Sequence, residues 1–175
     1  MGKSSRLAKL GDRPLMLPTG HSPIKAKLAE TGAPLAGEMS GHIFFADHYY
    51  RFDDAVYTAV RLLGIVARSS ESLADFVDTL PTVINTPELR LPCEEARKFA
   101  IVKEIHQRLR QRGAEISDID GVRVRCADGW WLVRASNTQA IIVARAEASS
   151  EAGFAQVRAE LAAELAASGL SLPYS

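Results

Sequence analysis

Short apolar runs and stripes of helical spacing succeed one another along the chain, separated by turn-forming residues. Pro14-Leu15-Met16-Leu17 reads as a buried strand, and Thr19-Gly20-His21 turns the chain into a helix over residues 22–32. Ser22 is placed to cap that helix, and Pro23 suits its first position, where no amide proton is needed. Gly32 can take the left-handed conformation that ends it. Pro34 to Met39 and Ile43-Phe44-Phe45 are strand-like on either side of Ser40-Gly41-His42, giving an α/β rhythm. Asp53 or Asp54 starts a second helix, whose wide apolar stripe through Val56, Val60, Leu63 and Val66 implies substantial burial. A shorter amphipathic piece carries Leu73, Phe76, Val77 and Leu80. Pro81 and then Asn85-Thr86-Pro87 break the pattern, which places a domain boundary near residues 81–86.

The second half reads as strand, helix, a meander of strands, and helix. Leu89 to Pro92 is a strand candidate. Glu94 to Arg112 is a helix with Ala96, Phe99, Ala100, Val102, Ile105 and Leu109 inward, acidic at its start and basic at its end, as the macrodipole prefers. Val122 to Ala127 and Trp130 to Ala135 flank Asp128-Gly129, a strong hairpin signal because a type I′ turn needs positive φ at both central positions. Gln139 to Ala146 supplies a further strand. The last helix, Glu151 to Ser168, buries Phe154, Val157, Leu161 and Leu165.

Composition narrows the function classes. The 175 residues are 47% hydrophobic and 24% charged, an ordinary globular composition. Lys plus Arg (21) equals Asp plus Glu (21), so the overall field favours neither nucleic acid nor a membrane surface, and any anion site must be local. No apolar run approaches the roughly 18 residues of a membrane span, and the N-terminal stretch lacks a signal peptide's apolar core, which makes a cytoplasmic location the expectation. The two cysteines, Cys93 and Cys126, form no CxxC pair and read as reduced core thiols. The four histidines show no HxxxH or comparable spacing, so no metal site is expected within the chain.

Three loops concentrate groups that bind small polar ligands. Thr19-Gly20-His21-Ser22 puts His21 just before a helix whose free amides attract anions; the alternative is a plain capping turn with His21 in solvent. In Gly37-Glu38-Met39-Ser40-Gly41-His42 the glycines permit close approach, Glu38 accepts, Ser40 does both, and His42 donates or accepts. That set suits a polyhydroxylated ligand such as a sugar, unless the polar groups satisfy one another. In the third loop, Arg134-Ala135-Ser136-Asn137-Thr138, hydroxyls and an amide follow an arginine. A two-residue Asp128-Gly129 turn would pair Cys126 with Trp131 and Val124 with Val133, setting Arg123 opposite Arg134. Like charges directly opposite either splay into water or share an anion, and Arg134, Ser136, Asn137 and Thr138 could together donate to a phosphate.

Taken in order and spacing, these three loops with Phe52-Asp53-Asp54, Thr86-Pro87-Glu88 and Asp128-Gly129-Trp130 resemble the C-terminal part of a bacterial phosphomannomutase/phosphoglucomutase, of the α-D-phosphohexomutase superfamily. The resemblance covers nearly the whole chain and implies two parts. Residues 1–80 would be a partial third domain, α/β with a mixed sheet and helices. Residues 81–175 would be the fourth, C-terminal domain, α+β with an antiparallel sheet and two helices. It implies that Glu38, Ser40 and His42 bind sugar hydroxyls with His21 nearby, and that Arg134, Ser136, Asn137 and Thr138 hold the phosphate that is not reacting. The implied reaction moves a phosphoryl group between O1 and O6 of a mannose or glucose phosphate, through a phosphoserine and a hexose 1,6-bisphosphate. The family's phosphoserine loop, Thr-x-Ser-His-Asn-Pro, and its magnesium loop, Asp-Gly-Asp-x-Asp, do not occur in this sequence. No catalytic residue is therefore assigned, Mg2+ would be bound by a domain absent here, and the isolated chain is expected to be inactive unless a separate chain supplies the missing domains. A non-catalytic sugar-phosphate-binding protein and a decayed gene fragment are the alternatives. The stretch Ser5 to Gly11 matches the helix before the Pro14 strand, implying a sheet that lacks its preceding strand and has an aggregation-prone edge. Pro18 stands where relatives often have Lys, and Ala140 where a Pro usually follows the phosphate loop.

Overall fold

The computed structural model describes Gly11 and residues 13–173, and the expected Ser5–Gly11 helix falls, but for Gly11, outside them. Contacts gather Leu17 to Pro81 into one compact unit and the other described residues, those before Leu17 and those from Thr82 onward, into another.

In the first unit, helix α1 (His21–Thr31) is capped at its start by Gly20 and not by Ser22. The reason is local: Ile24 N–H donates to the Gly20 carbonyl, and the Gly20 N–H is taken by the Glu38 carboxylate at 2.8 Å. Ser22 thus lies inside the first turn. The helix ends as expected at Gly32, whose φ of 67° is left-handed and whose N–H returns to the Leu28 carbonyl. Strands β1 (Leu35–Gly37) and β2 (Ile43–Phe45) form an antiparallel pair, with Leu35 opposite Phe45 and Gly37 opposite Ile43. Ile24 and Leu28 of α1 close on Phe44, and these three make the unit's buried core, with Leu17, Ala33, Ala36 and Ala46 packed around it.

Two expectations fail in the first half of the chain. Residues 14–17 form no strand, and Leu15 and Met16 are 60% and 54% exposed. An extended segment becomes a strand only when a neighbour takes its backbone hydrogen bonds, and no described strand does so here. Helix α2 (Ala55–Val66) forms, capped by Asp54, yet none of its residues is buried and Val56 is 75% exposed. A pair of three-residue strands offers too little surface to cover so wide a stripe; what α2 does pack is Tyr57, stacked on Tyr49 at 3.7 Å and edge-on to Phe45. The short helix α3 (Leu73–Asp78) is held by a reciprocal Ser72–Asp75 capping box, and Phe76 and Val77 also stay exposed.

The second unit has two layers. Strands β3 (Ile84–Asn85), β4 (Leu89–Pro92), β5 (Ile116–Ser117), β6 (Val122–Arg125), β7 (Gly129–Ala135) and β8 (Ile141–Ala148) form an antiparallel sheet, ordered β3-β8-β7-β6-β5 with β4 also on β8. Helices α4 (Lys98–Gln111) and α5 (Glu151–Ala166) supply Ile101, Ile105, Leu109, Val157, Leu161 and Leu165 to one core with Trp131, Val133, Ile142 and their neighbours on the sheet. Helix α4 starts later than its acidic residues suggest, because Arg97 N–H bonds the Glu94 carbonyl in a three-residue turn instead of an α-turn. Its inward face is Lys98, Ile101, Ile105 and Leu109, so Phe99, expected inside, is 59% exposed on the other side.

The hairpin register also differs. Val124 pairs with Trp131 and Val122 with Val133, two residues from the expected alignment, so the same side chains face the core while Arg123 opposes Leu132 and not Arg134. Neither Asp128 nor Gly129 has positive φ. Cys126 N–H donates to the Gly129 carbonyl, which places the turn at Ala127-Asp128. Gly129 is a strand residue, required because a Cβ there would stand 2.1 Å from the Glu147 carbonyl oxygen of β8. Arg123 lies over the Trp130 ring at 4.5 Å, and the repulsion that motivated an anion between Arg123 and Arg134 does not exist.

Cys93 and Cys126 are half-buried at the core's margin, not within it. Burial and then the Glu160 carboxylate, which accepts from its Sγ at 3.3 Å, push the Cys126 thiol up to about 12. A thiol with a raised pKa stays protonated below it, and only the thiolate alkylates. In iodoacetamide labelling at neutral pH, Cys126 is therefore expected to react only after the unit is unfolded in denaturant; rapid labelling of folded protein would contradict this packing.

Candidate functional site

The three chemically dense loops build two local sites, one in each unit: the first two loops share a site and the third forms its own. In the first, the β1–β2 turn is closed by Gly41 N–H to the Glu38 carbonyl and by Glu38 N–H to the His42 carbonyl. Glu38 and His42 thereby project from fixed backbone beside the first residue of α1, His21. The Glu38 carboxylate accepts from Gly20 N–H at one oxygen and from the Ser40 hydroxyl, at 3.0 Å, at the other. The start of α1 thus already faces an anion, a side chain of the protein itself. The His21 and His42 rings meet edge-on with centroids 4.7 Å apart. Both are about half exposed, at 48% and 45%, so the cluster opens to solvent.

Asp53 joins this cluster, which sequence reasoning did not foresee. Its carboxylate meets His42 Nδ1 at 2.8 Å and His21 Nδ1 at 3.4 Å. The hydrogen bond from His42, and then the charge of His21, hold the Asp53 carboxyl below the ordinary carboxylate range despite some desolvation. Its neighbour Asp54 faces elsewhere, capping α2 at Tyr57 N–H and accepting from the Tyr49 hydroxyl. The signal was present: two consecutive carboxylates precede a helix that needs only one for its cap.

In the second unit Arg134 is the penultimate residue of β7, and the loop 136–140 returns to β8. Ser136 is buried, and its hydroxyl oxygen accepts from Thr138 N–H and Gln139 N–H at 3.3 and 3.2 Å. That shapes the loop and leaves the Ser136 hydroxyl proton free to donate, while Asn137 and Thr138 are exposed. Buried Lys98 of α4 braces the loop by donating to the Gln139 carbonyl, and Arg90 donates to the Gln139 side chain. Lys98 was also missed; its signal is a lysine in register with Ile101, Ile105 and Leu109 on an apolar helix face. Asn137 borders an open groove of about 320 Å³ lined also by Lys103 and His106. His106 is half-buried there. His48 is 89% exposed and belongs to neither site.

Sequence comparison matches residues 2–83 to the family description "Phosphoglucomutase/phosphomannomutase, alpha/beta/alpha domain III" and residues 88–164 to "Phosphoglucomutase/phosphomannomutase, C-terminal domain". The chain belongs to the phosphoglucomutase/phosphomannomutase family. A phosphomannomutase/phosphoglucomutase of Pseudomonas syringae pv. tomato is 41% identical over 170 residues, 96% of this chain and 37% of that protein. The Pseudomonas aeruginosa protein of the same name is 42% identical over 93% of this chain and 35% of its own length. A crystal structure of a phosphoglucomutase/phosphomannomutase family protein from Burkholderia thailandensis superposes with a TM-score of 0.86 at 42% identity, covering 98% of this chain and 36% of that one. This phosphoglucomutase/phosphomannomutase family chain thus spans little more than a third of these relatives and aligns with their C-terminal part. The Gly37 to His42 loop lies in its domain III match and the Arg134 to Thr138 loop in its C-terminal domain match.

Proposed function

We propose that this chain carries the substrate-recognition residues of a phosphohexomutase without its transfer chemistry. Glu38, Ser40 and His42, with His21, take the sugar hydroxyls; Arg134, Ser136, Asn137 and Thr138 take the phosphate. The observation that carries the reading is the cluster of His21, Glu38, Ser40 and His42. Its acceptors and switchable donors are tied to one another and to Asp53 while half of each imidazole stays open to solvent. Polyol recognition needs such preset, two-way hydrogen-bonding groups.

Transfer would need a phosphoryl carrier and a metal at the transferring group. The phosphoserine and Asp-Gly-Asp-x-Asp motifs that the family resemblance implies do not occur in this sequence, and a cluster of two imidazoles and one carboxylate does not fit magnesium, which takes oxygen ligands. The chain alone is accordingly expected to bind hexose phosphate or hexose 1,6-bisphosphate and not to turn it over, with activity requiring a chain that bears the missing motifs. A cytoplasmic setting belongs to the same reading. Among the described residues no helix is long and apolar enough to cross a membrane.

Calorimetric titration with glucose 1,6-bisphosphate at low salt tests the proposal, because charge-assisted contacts to phosphate are least screened there. Saturable binding is expected, weakened in Arg134→Ala by roughly 10- to 100-fold, the loss of one hydrogen bond to a charged group. A folded chain that shows no binding, or binding indifferent to Arg134→Ala, would overturn it.

A further inference from the structure

We propose that His21, Glu38 and His42 form a binding site for a divalent transition-metal ion of the zinc class. One donor atom from each of the three side chains lies within 4.8 Å of the other two. A tetrahedral zinc ion bound at ordinary distances holds its ligand atoms roughly 3.4 Å apart, so modest side-chain rotation closes the set. Two imidazoles and one carboxylate are the donors that borderline ions such as Zn2+ and Co2+ select, and they are too rich in nitrogen for Mg2+ or Ca2+.

Asp53 is the independent observation that points to a metal. It faces Nδ1 of His42 at 2.8 Å and Nδ1 of His21 at 3.4 Å, so an ion held together with this carboxylate would take the Nε2 nitrogens. A carboxylate behind a ligating imidazole fixes the ring's tautomer and orientation and raises its basicity, and here one carboxylate serves both rings. Glu38 is likewise aimed by Gly20 N–H and the Ser40 hydroxyl, yet each of its oxygens keeps a lone pair. Three protein ligands on a solvent-open face leave the fourth position to water or an incoming oxygen. Spacing along one element could not reveal this site, because His21 begins α1 while Glu38 and His42 flank the β1–β2 turn.

The metal site stands on the donor set and on Asp53 behind it, not on sugar binding. Its consequence, that a bound ion and a sugar exclude one another, rests on the sugar-binding reading above, so the test uses metal without sugar. Full-length chain free of any affinity tag is titrated with Zn2+ by calorimetry in a non-coordinating buffer, and with Co2+ by visible absorption. A single site is expected, with the intense bands of a low-coordinate Co2+ complex. Binding should be lost in His42→Gln and in Glu38→Gln, and weakened roughly 10- to 100-fold in Asp53→Asn, which keeps all three ligands. It should be unchanged in Cys93→Ser/Cys126→Ser and in His48→Gln/His106→Gln. Circular dichroism checks each variant's fold, and His21→Gln replaces any that does not fold. Absence of Zn2+ binding by the folded chain, or binding that survives the ligand variants and disappears with the cysteines or His106, would overturn the proposal. Glucose 1,6-bisphosphate binding to metal-free protein is unaffected by that outcome.

Discussion

Replacing Trp131 by alanine is expected to lower the melting temperature of the unit from Thr82 onward by roughly 15–25 °C. Trp131 is fully buried at the middle of β7, in the shared core of the sheet and both helices. Truncating a buried Phe or Trp to Ala costs about 3–5 kcal/mol, and in a domain of this size each kcal/mol shifts the midpoint by about 4–8 °C. Folded domains hold only about 5–15 kcal/mol in total, so part of the population should unfold at growth temperature. Trp131→Phe is a sharper control. The indole Nε1 is buried without a hydrogen-bond partner among the described residues, so phenylalanine removes an unsatisfied donor while losing some volume. Thermal melts followed by circular dichroism should therefore place Trp131→Phe much closer to the parent than Trp131→Ala. Near-equal losses would mean that the core does not collapse around this ring as described.

Gly121→Ala is expected to lower stability and, with Arg134 as the proposed phosphate ligand, to weaken hexose bisphosphate binding. Gly121 has φ of 77°, and a Cβ there would stand 2.4 Å from the Val133 carbonyl oxygen and 2.7 Å from Arg134 Cα. The left-handed backbone alone costs about 1 kcal/mol or more for a residue with a side chain, and overpacking adds about 1–3 kcal/mol. Relief must come by moving β7 at the residue that presents Arg134. The variant should melt about 10–20 °C lower and, where still folded, bind glucose 1,6-bisphosphate at least roughly tenfold more weakly, since a displaced arginine forfeits its charge-assisted contact. A folded Gly121→Ala with undiminished affinity would show that the position of Arg134 does not govern phosphate binding.

Periodicity made the helices legible, and the contrasting fates of α2 and α5 show its limit. Both carry wide apolar stripes, but α5 lies on a six-stranded sheet and buries Val157, Leu161 and Leu165, whereas α2 finds only a two-stranded pair and stays exposed. A stripe states what a helix could bury, and the available partner surface decides what it does bury. The hairpin failed for a different reason. Glycine after aspartate signals a turn, yet Gly129 answers the close passage of β8 at Glu147, a contact distant in sequence that no local rule contains. The two loops were readable because their residue types are unusual together. Asp53 and Lys98 were not, since each acts through a partner supplied by another element: His42 in one case and the Gln139 carbonyl in the other.

The extended backbone of Asp54, with φ of −141° and ψ of 109°, sends consecutive side chains to opposite sides, which is why Asp53 reaches the histidines while Asp54 reaches Tyr49 and Tyr57. The orientation of the two imidazoles is thereby geared to the phase of α2. Point changes along α2's exposed face leave that gear alone, and the helix tolerates drift in sequence. A single-residue insertion or deletion between Phe52 and Tyr57 does not leave it alone, because it hands the histidines a different side chain and removes the cap in the same stroke. The exposed face of α2 therefore admits substitution, while the segment that leads into it admits no change of length.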